Sequence, residues 1–126
     1  LLHEDDAYFG CQVDHIISEK HGGSTDADNL AYACTSCNRS KGSDVGSIVL
    51  PLNQGIFCRF FNPRTDRWYE HFSLDASDGI TIVPLSNIGD VTTRILGFNS
   101  SERLLERQTL REIGRYPAVE ALKRLA

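Results

Sequence analysis

The 126-residue sequence contains no methionine, one tryptophan and four prolines. Without an initiator methionine, the expectation is that residues ahead of Leu1 belong to the protein. No run of 18 apolar residues occurs, so no segment reads as a membrane-spanning helix. The opening LLHEDDAYFG lacks the basic and long apolar regions of a secretory leader. These absences point to a soluble, cytoplasmic protein with no membrane partner. Internal repeats and low-complexity tracts are also missing. Positive charge is scarce, with 13 Lys and Arg against 17 Asp and Glu. That balance alone argues against a nucleic-acid partner, because binding phosphate usually leaves a basic footprint. Its distribution softens the objection. Residues 1–50 hold three basic against eight acidic side chains, residues 51–85 three against four, and residues 86–126 seven against five. An acidic N-terminal patch meets DNA poorly unless a cation sits in it.

With 40% hydrophobic and 24% charged residues, the chain can bury one modest core. The pattern is α+β. Residues 11–17, CQVDHII, read as a strand, and residues 18–29 as a long loop rich in turn residues. Residues 30–34, LAYAC, read as a second strand, followed by a short helix capped by Thr35 or Ser36 and stopped at Gly42. SIVLPL, GIFCRFF, WYEHFSLD and GITIVPL give antiparallel strands across residues 47–85, with turns at Asn62-Pro63 and Asp78-Gly79. Val91, Ile95 and Phe98 then form a helical stripe, and SSERLLERQTLREIG predicts a second C-terminal helix ending at Gly114. Residues 1–45 and 46–126 divide into a ββα motif and an extension packed on it, within one compact unit.

The first strand carries an anomaly. Asp14 and His15 interrupt the β-branched run of Val13, Ile16 and Ile17. Burying such groups costs about 2 to 7 kcal/mol each without a partner or a metal. Further polar residues follow at Asn29 and Asn38, and Cys34 and Cys37 form a Cys-x-x-Cys pair just before the last. A hard divalent ion such as Mg²⁺ prefers oxygen ligands and needs only one or two protein groups. An imidazole, titrating near neutral pH, can deprotonate water beside it. Together these are the requirements of phosphodiester hydrolysis. Adjacent strand residues face opposite ways, so Asp14 and His15 can share a site only at a strand end, bulge or strong twist.

The stretch VDHIISEKHGGSTDADNLAYACTSCNRSKG resembles the signature of the HNH endonucleases, in order and in spacing, over residues 11–45. The resemblance implies a ββα-metal fold and metal-dependent hydrolysis of nucleic acid, double-stranded DNA above all, leaving 5′-phosphate and 3′-hydroxyl ends. It makes Asp14 a ligand of the catalytic cation and His15 the general base. Asn29 braces the loop and helps orient His15, and Asn38 gives the metal a side-chain oxygen. The implied ion is Mg²⁺, with Mn²⁺ or Ni²⁺ as substitutes, and pairing of two chains to cut both strands is compatible with it. Arg39, Lys41 and His21 are candidate phosphate contacts.

Relatives with the Cys-x-x-Cys pair complete a four-thiolate structural zinc site from a second pair upstream, which this sequence lacks. Cys34 and Cys37 are therefore expected to be an incomplete zinc half-site. Two rivals stand beside the nuclease reading: an inactive binding module that keeps the fold, and a thiol redox protein, which an unusually acidic, exposed Cys34 would favour. Cys11 and Cys58 read as small apolar residues, and Trp68, Tyr69 and Phe72 as core rather than a base-stacking platform. His3 and His71 carry no pattern.

Overall fold

The computed structural model describes residues 6, 7 and 10–125, so His3 lies outside the described residues. Strands β1 (Cys11–His15) and β2 (Leu30–Cys34) pair antiparallel, with Cys11 opposite Cys34 and His15 opposite Leu30. β1 ends two residues earlier than CQVDHII suggests. The partner strand begins only at Leu30, and the Ile17 backbone is taken instead by the Asn29 side chain, at 2.9 Å to both its N–H and its C=O. Helix α1 (Thr35–Lys41) follows β2 directly. Its N-cap is Cys34 rather than Thr35 or Ser36, because the Thr35 hydroxyl donates instead to the Gly10 carbonyl at 3.2 Å. The helix stops at Gly42, whose φ of 52° suits glycine.

The extension is antiparallel but broken into short hairpins. β3 (Gly46–Ile48) pairs with β4 (Phe57–Arg59), and β5 (Phe72–Leu74) with β6 (Ile82–Pro84). Contrary to the strand reading, WYEHFSLD opens with a helical turn, α2 (Trp68–His71). A strand would hold Trp68 and Phe72 roughly 13 Å apart. The helical turn brings their ring centroids to 5.5 Å, and that packing outweighs the β propensity of the aromatics. Three helices close the chain, α3 (Asn87–Ile95), α4 (Ser101–Glu112) and α5 (Val119–Leu125), where two were expected. The extra one has only seven residues, too few to declare a period in the sequence. Ser86 and Ser100 cap α3 and α4, accepting from the amides of Gly89 and Arg103.

The core lies under α3. Val91 is wholly buried against Val49 and Phe60, with Cys58, Ile95 and Leu96 around them. Beside it Phe72 meets Phe61 and Phe98 at 5.3 and 5.8 Å, so burying this one ring is worth about 2 to 3 kcal/mol. Trp68 and Phe72 thus serve packing, while Tyr69 is exposed. Phe98 lies beyond the end of α3 rather than on its stripe. The buried Thr92 hydroxyl is satisfied at both ends, donating to the Ile88 carbonyl and accepting from the Phe61 amide. Arg64 Nε ties the extension to the first hairpin by donating to the Leu30 carbonyl at 2.8 Å. Among the described residues no helix is long and apolar enough to cross a membrane.

The β5–β6 connection supplies a pH-dependent element. The Thr81 hydroxyl and the amides of Thr81 and Ile80 hold the Asp78 carboxyl down at about 2. A depressed carboxyl pKa contributes stability that is complete above the unfolded value, about 3.9, and lost as pH falls through the folded one. Acid unfolding of Asp78→Ala should therefore be less steep than that of the wild type between pH 4 and about 2. Thermal melts of the two proteins across that window check this, and equal slopes would refute it.

Candidate active site

The site forms where β1 ends against α1 and the loop. Asp14 is the penultimate residue of β1, and its carboxylate turns toward α1. There the Lys41 ammonium sits 3.0 Å from Asp14 Oδ2 and donates to the His15 carbonyl at 2.8 Å. Both side chains are largely buried, at 9% and 14% exposure. Lys41, a candidate phosphate contact by sequence, is engaged here within the chain, by Asp14 and the His15 carbonyl. In a helix starting at Thr35, Lys41 closes the last turn, where its side chain reaches back to the end of β1. Arg39, two residues earlier, is exposed.

Asn38 reaches the same side of the hairpin. Its Nδ2 donates to Gln12 Oε1 at 2.6 Å, and Gln12 shares a strand face with Asp14. Asn38 Oδ1 is thereby oriented by a partner that sequence reading did not single out. His15, the last residue of β1, faces the loop. Its Nε2 is 3.2 Å from the Thr25 hydroxyl and 3.7 Å from Glu19 Oε1. Neither Thr25 nor Glu19 was legible as a site residue, since both sit in a loop whose path sequence spacing does not fix. At the strand end the Asp14 side chain is engaged from the helix, by Lys41, and the His15 ring from the loop, by Thr25 and Glu19.

Asn29 closes the loop. Its Oδ1 accepts from the Ile17 amide, and its Nδ2 donates to the carbonyls of Ile17 and Ser24, at 2.9 and 2.7 Å. Gly23 belongs to this closure, because a Cβ there would fall 1.7 Å from the Ile17 carbonyl oxygen. Asn29→Ala should cost about 2 kcal/mol, the sum of lost bonds and stranded backbone groups. Urea denaturation measures the cost, and amide exchange across residues 18–29 should rise. An unchanged midpoint with unchanged exchange would show that the loop does not depend on Asn29. His21 lies in the 3-10 turn Glu19–His21 and is exposed.

Asp14 offers a carboxylate, engaged here by the Lys41 ammonium, and Asn38 an amide oxygen, both of the hard oxygen type that a divalent ion prefers. Among the described residues no group of three His, Cys, Asp or Glu could hold an ion, so any metal here would rely on water and substrate oxygens.

Cys34 and Cys37 lie at the start of α1, on the far side of the hairpin end from His15. The hydrogen bond from the Cys37 thiol, aided by Arg103, holds Cys34 well down, at about 5, against its burial. The same bond, burial and the Cys34 charge push Cys37 up. The pair is half-buried and capped by Arg103 rather than exposed, as a redox-active thiolate would be. Cys11 and Cys58 are likewise half-buried.

Residues 4–44 match the family model described as HNH endonuclease. No curated protein and no solved structure matches the chain.

Proposed function

With an HNH domain spanning residues 4–44, we propose that the chain is a metal-dependent endonuclease that hydrolyses phosphodiester bonds of nucleic acid, double-stranded DNA in particular. The observation that carries this reading is the Asp14 carboxylate seated on a buried cation at the strand end, one residue from an imidazole turned to the loop. The carboxylate supports the reading as a ligand for a cation that displaces the ammonium, and the imidazole supports it as a base. Asp14 and the oxygen of Asn38 would hold Mg²⁺, with Mn²⁺ or Ni²⁺ as substitutes. The bound ion would stabilise charge on the phosphoryl and leaving oxygens.

The remaining work belongs to the chain. His15 Nε2 accepts the proton of the attacking water. The Thr25 hydroxyl at that nitrogen marks a hydrogen-bonding position that a water oxygen can take in its turn. Asn29 keeps residues 18–29 folded against the strand end, so the ring is not free to wander. Arg39 and His21, exposed on the same motif, supply positive charge and donors toward the phosphates that an acidic chain otherwise offers sparingly. Work on DNA in this way fits a cytoplasmic setting, and two chains side by side could cut both strands.

Supercoiled plasmid incubated with the chain and Mg²⁺, Mn²⁺ or Ni²⁺ should be nicked, and EDTA should stop the reaction. A folded chain that retards DNA in a gel but cuts with none of the three ions would replace this reading with a binding module.

A further inference from the structure

The Cys-x-x-Cys pair carries a feature that a zinc half-site does not explain. Arg103, on the first turn of α4, is 8% exposed and points its guanidinium into the two sulfurs. Its Nη1 lies 2.9 Å from Cys34 Sγ and 3.5 Å from Cys37 Sγ. A structural zinc would need four ligands in tetrahedral array at about 2.0 to 2.3 Å. The described residues offer no third His, Cys, Asp or Glu to such a site, and the place beside the sulfurs is filled by a cation of the chain itself. Zinc does not fit with Arg103 where it stands.

We propose that Arg103 takes the seat a structural zinc would occupy, so that a guanidinium, not a metal, clasps Cys34 and Cys37 and joins the ββα motif to α4. The helix is anchored for this role. One turn on, Arg107 donates from Nε to the Ile80 carbonyl at 2.7 Å and from Nη2 to the Phe98 carbonyl at 2.6 Å and Asn99 Oδ1 at 3.0 Å. The Arg103 amide is itself held by the Ser100 cap. Glu106, 3.7 Å from Arg103 Nε, faces the guanidinium from its own helix and balances its charge. The face of α4 turned inward thus buries two arginines, whereas Leu105 is 67% exposed. A face built of guanidinium groups is unsuited to a dication and well suited to sulfur and carbonyl acceptors.

The test uses the whole chain and does not depend on nuclease activity. Purified protein should contain far less than one zinc per chain by elemental analysis, and its melting temperature should not change when a strong chelator is added. Arg103→Met, which keeps the bulk and removes the charge, should melt lower and expose the thiols, with alkylation of Cys34 and Cys37 at least about tenfold faster. Should that variant fail to fold, Arg103→Lys serves in its place, keeping charge but losing the planar fork. Cys34→Ser with Cys37→Ser should lower the melting temperature, and adding Arg103→Met to that pair should cost little more, since coupled groups are non-additive. One tightly held zinc per chain, a melting temperature that falls on chelation, or thiols that react no faster without the guanidinium would each overturn the clasp.

Discussion

Replacing His15 with Ala should reduce metal-dependent nicking of plasmid by about 10² to 10⁴-fold, the range expected for loss of a general base. The prediction is sharp because little else depends on the ring. His15 closes the last pair of β1 through its backbone, and its carbonyl still receives Lys41 after the substitution. The side chain is 30% exposed and gives up one hydrogen bond, to Thr25, so the stability cost should stay near about 1 kcal/mol. Fold and activity therefore separate. Nicking assays on wild type and His15→Ala at matched concentration, with melting curves on the same preparations, make the comparison. A mutant that is folded yet cuts within a few-fold of wild type would remove His15 from the chemistry. The companion test is Thr25→Val, which should leave most of the activity, since that hydroxyl occupies one hydrogen-bonding position of the ring rather than orienting it alone.

The parts of this molecule that could be read from the sequence are those governed by local rules. Turn residues, the alternation of LAYAC and the stop at Gly42 gave β2 and α1 nearly to the residue. Asp14 and His15 were conspicuous because polar groups in a β-branched run need a compensating partner. What could not be read is which partner arrives. Lys41 reads in sequence as a candidate phosphate contact, and only the placement of α1 over β1 puts it on Asp14. Arg103 is separated from Cys34 by 69 residues, and no spacing rule links them. On α4 the buried residues are Arg103 and Arg107, which no helical pattern in the sequence singles out. Trp68 is a similar case: its β propensity is real, but the ring contact with Phe72 requires a helical turn. Tertiary partners decided these outcomes, and they lie outside any local window.

The second large effect concerns the pair at the centre of the site. Asp14 and Lys41 are both mostly buried, so removing either partner strands a charge, at a cost of about 3 kcal/mol or more. The two removals should nonetheless differ in kind. Asp14→Ala leaves the Lys41 ammonium with the His15 carbonyl as its remaining acceptor and takes away the carboxylate that a divalent ion would use. That variant should be destabilised, fail to nick plasmid, and gain nothing from added Mg²⁺ or Mn²⁺. Lys41→Met leaves the carboxylate without its resident cation. It too should be destabilised without metal, but a divalent ion no longer competes with the ammonium for Asp14. Binding to the native state raises stability by RT ln(1 + [L]/Kd), so a tighter site shows a larger rise at the same ion concentration. Melting curves with and without millimolar Mn²⁺ should therefore shift more in Lys41→Met than in wild type, and not at all in Asp14→Ala. A Lys41→Met shift equal to or smaller than that of wild type would mean that the ammonium and the metal do not share a seat. A shift in Asp14→Ala would mean that the ion binds somewhere else.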